Sequence, residues 1–595
     1  MKKYKNRAEV EEKYKWDLTD LFKDDKDFEK TYDEIQKDVI SLKDYVGCTK
    51  DKEKLFEFLN KNFNTLATVE RLYVYAHLIN DQEIGVSKSI DRKNKVSDLF
   101  NLYSINTSFF DPELLKLSKK EYEELFENKK MLEYRKALDD IYRNKEHILD
   151  EKSETIINVL TNSMNHFRDM SSTMLNSEHD YGSVKIDNEN EKITTTNYRR
   201  LMKNQDRNLR KSVRKKFNSV IDRYAASSAQ FLNSYVKANI ANAKLHNFKD
   251  AWDAKLFRLK LTDKAFTTLI QTVEDNVDSL QRYLKIYQKR FKLNKLYQYD
   301  LSLDLTDKKK EYSIEEAQDL CIKTISSLGD DYTKHFKKIF DNRYIDYAVY
   351  PSKRSGGYSF APLDRDSKIL MSYNYDLESV STIIHEGGHN VHDQYISESN
   401  PLEYRIVSTI ISEVASLTNE CLLSNYLANN AKTKEDKIAG ISNIVTVILS
   451  NLFGAVREGK MELDFYNYVN EGNTITKDYM KELELASLNK YYGNTIKLDN
   501  ISGLSWVTRS HYYNNYYLFD YAFCISVAAN VASKILDGDK EMLNKYLKFL
   551  KAGSDIDIID VFKIIDVDLE DRTVYENAIK YFDSMVKKLE ELMGD

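Results

Sequence analysis

The chain has 595 residues, well beyond the roughly 250–300 at which one hydrophobic core stops growing, so at least two lobes are expected. Its 42% hydrophobic and 31% charged content excludes global disorder, and a net charge of −6 gives no footprint for nucleic acid or an anionic membrane. With only 17 Gly and 4 Pro, residues that turn-rich β architectures need and helix interiors reject, the composition points to a mainly helical, all-α protein.

Residues 1–180 read as one helix after another. The opening MKKYKNRAEVEEKYKW lacks the apolar region of a signal peptide. Leu55, Phe58 and Leu59 recur at helical spacing, as do Leu72, Tyr75, Ala76 and Ile79. Asp111-Pro112 fits an N-cap followed by Pro at the first helical position. Val184, Ile186 and Ile193 flank the polar Asp187-Asn188-Glu189-Asn190, which suggests a small β-hairpin. That change of pattern sets an expected boundary, with an N-terminal helical lobe over 1–195 and a catalytic domain over 196–595. A long charged helix is expected over 205–246, and the basic run Arg207 to Lys216 reads as a solvated face.

Pro351 to Pro362 is the one stretch rich in breakers, and it contains Ser355-Gly356-Gly357-Tyr358. Lys368 to Tyr373 reads as a short strand, and helices resume at about residue 377. No run of about 18 apolar residues is found, so no membrane span is expected. Cys48, Cys321, Cys421 and Cys524 lie far apart, which favours a thiol-keeping, cytoplasmic setting.

The chemistry concentrates in Ile383-Ile384-His385-Glu386-Gly387-Gly388-His389, an HExxH motif. On a helix, residues four apart share a face, so both imidazoles can reach one metal ion while Glu386 stays free beside it. Two glycines inside a helix cost roughly 1 kcal/mol each relative to Ala, which makes sense if another backbone or a ligand comes close. Zinc needs a third protein ligand and one open position. His392 lies seven residues from His385, about 10.5 Å along the axis, and so reads as packing or a supporting contact. Glu413 sits between Ile410 and Leu417 on the apolar face of a helix expected from about Glu403 to Ala428. A carboxylate there needs either a metal or a Lys or Arg partner. Glu420 shares that face and either orients a ligand histidine or forms an ordinary ion pair. The cluster His511-Tyr512-Tyr513-Asn514-Asn515-Tyr516-Tyr517, with Tyr521, either packs an aromatic core or supplies donors to an oxyanion.

Taken together, these pieces resemble the thimet-oligopeptidase-like zinc metallopeptidases, and within them the oligoendopeptidase F branch. The resemblance runs through Trp16-Asp17-Leu18, the loop Lys353 to Ser359, the segment Thr382 to His392, Glu413 to Glu420, and Gly503-Leu504-Ser505-Trp506 with the His511 cluster. It implies a helical, two-lobed ellipsoid with a deep substrate channel, a small β element near the active site, and one Zn2+ bound by His385, His389 and Glu413. Glu386 is then the general base. His511, Tyr517 and Tyr521 are the favoured oxyanion donors, and Gly356, Gly357, Tyr358 and Tyr513 are substrate-contacting candidates. The strand at 368–373 is expected to pair with extended substrate. Gly387 departs from the family, where a larger apolar residue is usual.

The expected activity is zinc-dependent hydrolysis of short oligopeptides by an endopeptidase. A metallocarboxypeptidase of related helical fold shares this chemistry. An inert helical peptide-binding protein is the rival from another class, and the intact Glu386 speaks against it.

Overall fold

A computed structural model describes residues 4–150, 152–154, 156–157, 166–195, 197–306 and 310–594. Residues 158–165 of the expected helical run lie outside it. In chain order, the elements that matter here begin with α1 (Asp25–Ser41), α2 (Lys52–Gln82) and α3 (Ser87–Thr107), followed by the hairpin β1 (Ser183–Ile186) and β2 (Glu189–Lys192). Next come α4 (Arg207–Leu245), α5 (Gly329–Asp341), β3 (Ile345–Asp346), β4 (Tyr358–Phe360) and β5 (Lys368–Leu370). The remainder are α6 (Leu377–Ser399), α7 (Thr409–Asn429), α8 (Lys434–Ile448), α9 (Ala455–Asn470), α10 (Lys477–Tyr492), α11 (Leu518–Leu536) and α12 (Arg572–Met593). The fold is all-α, as expected.

The chain forms two compact units, each discontinuous in sequence. The first comprises 1–146, 309–423 and 531–566. Here α2 packs on α1 and α3 around Phe28, Leu55, Phe58, Leu72 and Leu99, all at most 1% exposed. This core continues onto Leu370 of β5, with Tyr358 and Phe360 of β4 packed against it. The helix α6 lies against α5 and against β4 and β5. Asp376 caps it by accepting the Ser379 N–H at 2.8 Å, and Val380, Ile384 and Val391 form its fully buried face. The second unit comprises 147–308, 424–530 and 567–595, where α4 packs on α9 and α10, and α8 on α12.

Several local expectations are corrected. The hairpin turn is Asp187-Asn188 alone, both with positive φ, so Glu189 and Asn190 belong to the second strand. The helix at Pro112 runs Phe110–Lys116 and starts before Asp111; Pro is accommodated because first-turn N–H groups have no helical partner. The basic run is only half solvated. Lys211, Lys215 and Lys216 are exposed, whereas Arg210 and Arg214 are buried, bonded to Asp300 and to Asp499. The helix expected from Glu403 is a short 3-10 turn, Leu402–Tyr404, and α7 begins only at Thr409.

The strand order is β3-β5-β4, with β5 parallel to β3 and antiparallel to β4. Lys368–Leu370 is therefore the central strand with both edges paired, so it cannot receive a substrate strand; β4 is an edge strand of this sheet. Two helical segments, Lys434–Asn470 and Leu518–Leu536, are long and apolar enough to cross a membrane, although neither holds an unbroken apolar run of that length. Their apolar windows are 50% and 78% buried within the protein, as core helices are.

Candidate active site

The site is built where α6 crosses α7 in the first unit. Their approach is close enough that a Cβ on Gly388 would stand 2.7 Å from Ser416 Cα and 3.0 Å from Ala415 O. A Cβ on Gly387 would stand 2.4 Å from the Phe336 ring of α5. Both glycines are thus required by close neighbours, one of them backbone. Asn419 ties the crossing together by donating from Nδ2 to Ile384 O at 3.2 Å and accepting from Tyr332 OH at 3.1 Å.

This contact brings His385, His389 and Glu413 together, with one ligand atom from each lying within 4.8 Å of the others. Glu413 Oε2 is 3.6 Å from His385 Nε2 and 3.7 Å from His389 Nε2. These distances exceed a hydrogen bond, yet approach the roughly 3.3 Å between ligand atoms placed tetrahedrally about 2.0–2.1 Å from one zinc ion. The remaining sides of the rings are held. His385 Nδ1 lies 2.7 Å from Glu420 Oε1, and the His389 ring is hydrogen-bonded to the backbone of Ser412. Among the described residues no Lys or Arg pairs with Glu413, whose Oε2 accepts only from Ser416 Oγ, at 3.0 Å. The donor set, its spacing and its supports fit a single metal ion.

Electrostatics divide the two imidazoles. Burial alone would lower both. At His385 the hydrogen bond and charge of Glu420, helped by Glu413 and Glu386, prevail and raise its pKa to about 9. At His389 burial and the neighbouring His385 prevail and lower it to about 4. Glu386 is buried but accepts the Ser359 N–H from β4, and burial raises its pKa. His392 stands apart from the ligand group. It is 1% exposed, neither ring nitrogen has a partner, and burial lowers its pKa to about 4.

The glycine loop lies beside the same helix. A Cβ on Gly357 would meet Thr382 Cγ2 at 2.8 Å and come 3.7 Å from Glu386 Oε1, and Gly356 has φ +102°. Tyr358 OH donates to Asp81 Oδ2 at 2.9 Å, and Arg354 pairs with the same oxygen at 3.0 Å. Asp81 was missed by sequence reasoning, because nothing in α2 marks it except an acidic residue at a position otherwise facing the core. Lys353 was missed as well. Its buried Nζ donates to the carbonyls of Asp346, Ala348 and Met371 and pairs with Asp346 Oδ1 at 2.6 Å, anchoring the base of the loop.

His511, Tyr517 and Tyr521 belong to the second unit, where their rings cluster at centroid distances of 5.1–6.2 Å. Tyr513 packs on Tyr235 at 5.3 Å. The members of this aromatic segment differ in burial. Tyr512 and Tyr516 are each 1% exposed and form core, while His511, Tyr513, Tyr517 and Tyr521 keep partial exposure.

A family model described as Peptidase family M3 matches residues 200–581, and one described as Oligopeptidase F matches residues 113–181. Oligopeptidase PepF of Bacillus subtilis (strain 168) is 29% identical, covering 99% of this chain and 88% of its own. Group B oligopeptidase PepB of Streptococcus agalactiae is 28% identical, covering 99% and 98%. A crystal structure from Chlamydophila abortus, 26% identical, superposes with a TM-score of 0.88 over 99% of this chain and 100% of that one. Oligoendopeptidase-F from Enterococcus faecium, 24% identical, gives 0.74 over 96% and 99%, a likeness of fold.

Proposed function

Since the chain belongs to peptidase family M3 and is a metalloendopeptidase, we propose that it cleaves short oligopeptides with one Zn2+ held by His385, His389 and Glu413. The convergence of these three side chains, with Glu386 left free beside them, carries the reading. Zn2+ in that position supplies a Lewis acid that polarises a peptide carbonyl and lowers the pKa of water from 15.7 to about 7.

The chain's own groups do the rest. Glu420 holds the proton on His385 Nδ1, leaving Nε2 as the donor. Glu386 takes the proton of the attacking water on its carboxylate and gives it to the leaving amine, a task suited to a carboxyl raised by burial. The Ser359 N–H steadies that carboxylate. His511, Tyr517 and Tyr521 remain the candidate oxyanion donors, on the resemblance and on their mutual packing. Gly356, Gly357, Tyr358 and Tyr513 are kept as substrate contacts, with the edge of β4 in place of β5 as the strand offered to an extended peptide.

A carboxypeptidase would need a free cation for the terminal carboxylate. Arg354 is paired with Asp81, and Arg509 with Glu458 at 2.7 Å, so neither of these two arginines stands ready for that role. An N-terminal lobe over 1–195 and a catalytic domain over 196–595 are proposed on the order of the two matched ranges along the sequence; this division differs from the two compact units, each of which draws on both parts of the chain. A cytoplasmic location accords with four buried cysteines that stand as thiols. The test is mass spectrometry of a short peptide blocked at both termini, incubated with the enzyme, with a chelator, and with Zn2+ restored. Internal cleavage that is lost and regained is expected; cleavage of unblocked peptides only, one terminal residue at a time, would overturn the endopeptidase assignment.

A further inference from the structure

The segment 509–521 is irregular where its chemistry is richest, yet it is held at fixed points by α9. Ser510–Tyr513 is a 3-10 turn, Asn514 and Asn515 follow without regular structure, and α11 begins only at Leu518. Tyr516, immediately before the partly exposed Tyr517, has φ +56°, a left-handed conformation costly for an aromatic residue. Such a conformation persists only where neighbours impose it.

The neighbours are two carboxylates one helical turn apart on α9. Glu458 Oε1 accepts from Arg509 Nη2 at 2.7 Å and from Arg457 Nη2 at 2.8 Å. Glu462 Oε1 accepts the Tyr516 backbone N–H at 2.8 Å. Between them Gly459 leaves room for Phe519, whose ring would stand 2.9–3.0 Å from a Cβ placed there. Met461 and Phe465 of the same helix take up Tyr512, with Tyr512 OH 4.0 Å from Met461 Sδ and the two rings edge-to-face at 5.3 Å. Asn515 accepts from Tyr466 OH of α9 and from Tyr235 OH of α4, and donates to Asn239 Oδ1 of α4. Among the described residues, buried Glu462 has no ion-pair partner; Lys255 pairs instead with Asp520, at 3.2 Å.

Resting on the peptidase reading above, we propose that Glu458 and Glu462 are positioning residues that clamp both ends of 509–516 and thereby set the orientation of His511, Tyr517 and Tyr521. Burial raises the Glu462 pKa to about 8, so at neutral pH its carboxyl is mostly neutral and a glutamine copies its shape and its accepting oxygen. That makes E462A and E462Q a discriminating pair.

The experiment uses the full-length Zn2+ enzyme and a blocked peptide. A displacement of about 1 Å in a group that meets the reacting centre can cost on the order of 100-fold. E462A should therefore lower kcat by about 10- to 100-fold with KM and zinc content little changed, and E462Q should recover most of that turnover. Amide hydrogen exchange read on a fragment spanning 509–517 should be faster in E462A and near wild type in E462Q. Wild-type kcat and unaltered exchange in a folded E462A would overturn the clamp, as would a loss explained by zinc content. If E462A does not fold, E458Q decides. It removes the charge facing Arg509, so lowered kcat with faster exchange supports the clamp and wild-type values overturn it. Exchange needs no substrate, so a wild-type enzyme inert on blocked peptides would sink the peptidase reading separately.

Discussion

Replacing Gly388 by Ala adds a methyl group where the backbone of α7 already stands. The new Cβ would fall 2.7 Å from Ser416 Cα and 3.0 Å from both Ala415 O and Asn419 Nδ2, where ordinary contact begins at 3.4 Å. The helices must therefore part locally by up to about 0.7 Å, since a backbone atom cannot rotate away as a side chain can. Glu413 is one turn before Ser416 and shares a hydrogen bond with it. Metal sites hold their ligand distances within about ±0.2 Å, so the displacement is several times what the third ligand tolerates. Alanine recovers about 1 kcal/mol of helix propensity, while overpacking costs about 1–3 kcal/mol. The metal-free protein should thus lose only about 0–2 kcal/mol. Zinc affinity should fall at least about tenfold, or 1.4 kcal/mol. Chelator competition measures the affinity, and thermal unfolding with and without Zn2+ separates it from stability. A G388A enzyme that binds Zn2+ within twofold of wild type, with unchanged melting in both forms, would refute the claim that this glycine sets the helix spacing for the site.

E386Q should retain Zn2+ and lose turnover by about 10²–10⁴-fold; wild-type rates in that variant would remove Glu386 from the role of base. E413A should bind less than one Zn2+ per chain at limiting metal, by atomic absorption, and full occupancy would move the third ligand elsewhere. E420A should weaken zinc binding about 10- to 100-fold by freeing the His385 ring, whereas an affinity equal to wild type would make Glu420 an ordinary ion-pair residue. The metal-free protein keeps His385 protonated up to about pH 9, although burial alone would lower its pKa. A metal requires neutral imidazole, so binding at pH 7–8 should release about one proton and affinity should rise with pH until about 9; calorimetry in buffers of different ionisation enthalpy reads the proton count, and zero release would contradict the raised value.

The grouping of His385, His389 and Glu413 was legible in sequence because much of its geometry is local. Four-residue spacing on α6 fixes His385 relative to His389, and the apolar neighbours Ile410 and Leu417 betray the inward face that carries Glu413. Even the use of Gly388 followed from its propensity cost. What remained hidden depends on partners distant in the chain. Whether β5 has a free edge is decided by β3 and β4, which sequence does not order. Asp81 becomes part of the glycine loop only through Arg354 and Tyr358. Tyr512 and Tyr516 are core while Tyr513 and Tyr517 are not, because α9 covers one side of an irregular segment that has no period of its own. Arg210 and Arg214 looked solvated because a basic run carries no sign of Asp300 and Asp499, which draw them inward.

The buried and half-buried carboxylates on these helices differ in what they are bonded to, and Glu413 is the half-buried one that stands beside two imidazole nitrogens. Glu458 has two guanidinium groups, and Glu484 accepts from Ser505 Oγ and the Trp506 N–H. Glu462 accepts a backbone N–H and is raised by burial toward its neutral form. Glu420 has an imidazole N–H at hydrogen-bond distance. Glu413 has one serine hydroxyl and two imidazole nitrogens that stand too far away to hydrogen-bond. A cation between that carboxylate and those nitrogens would satisfy all three groups at once. In the metal-free protein the protonated His385 ring supplies that charge, and a metal ion would take its place as the proton leaves, with the three ligand atoms within 4.8 Å of one another in one unit of the fold.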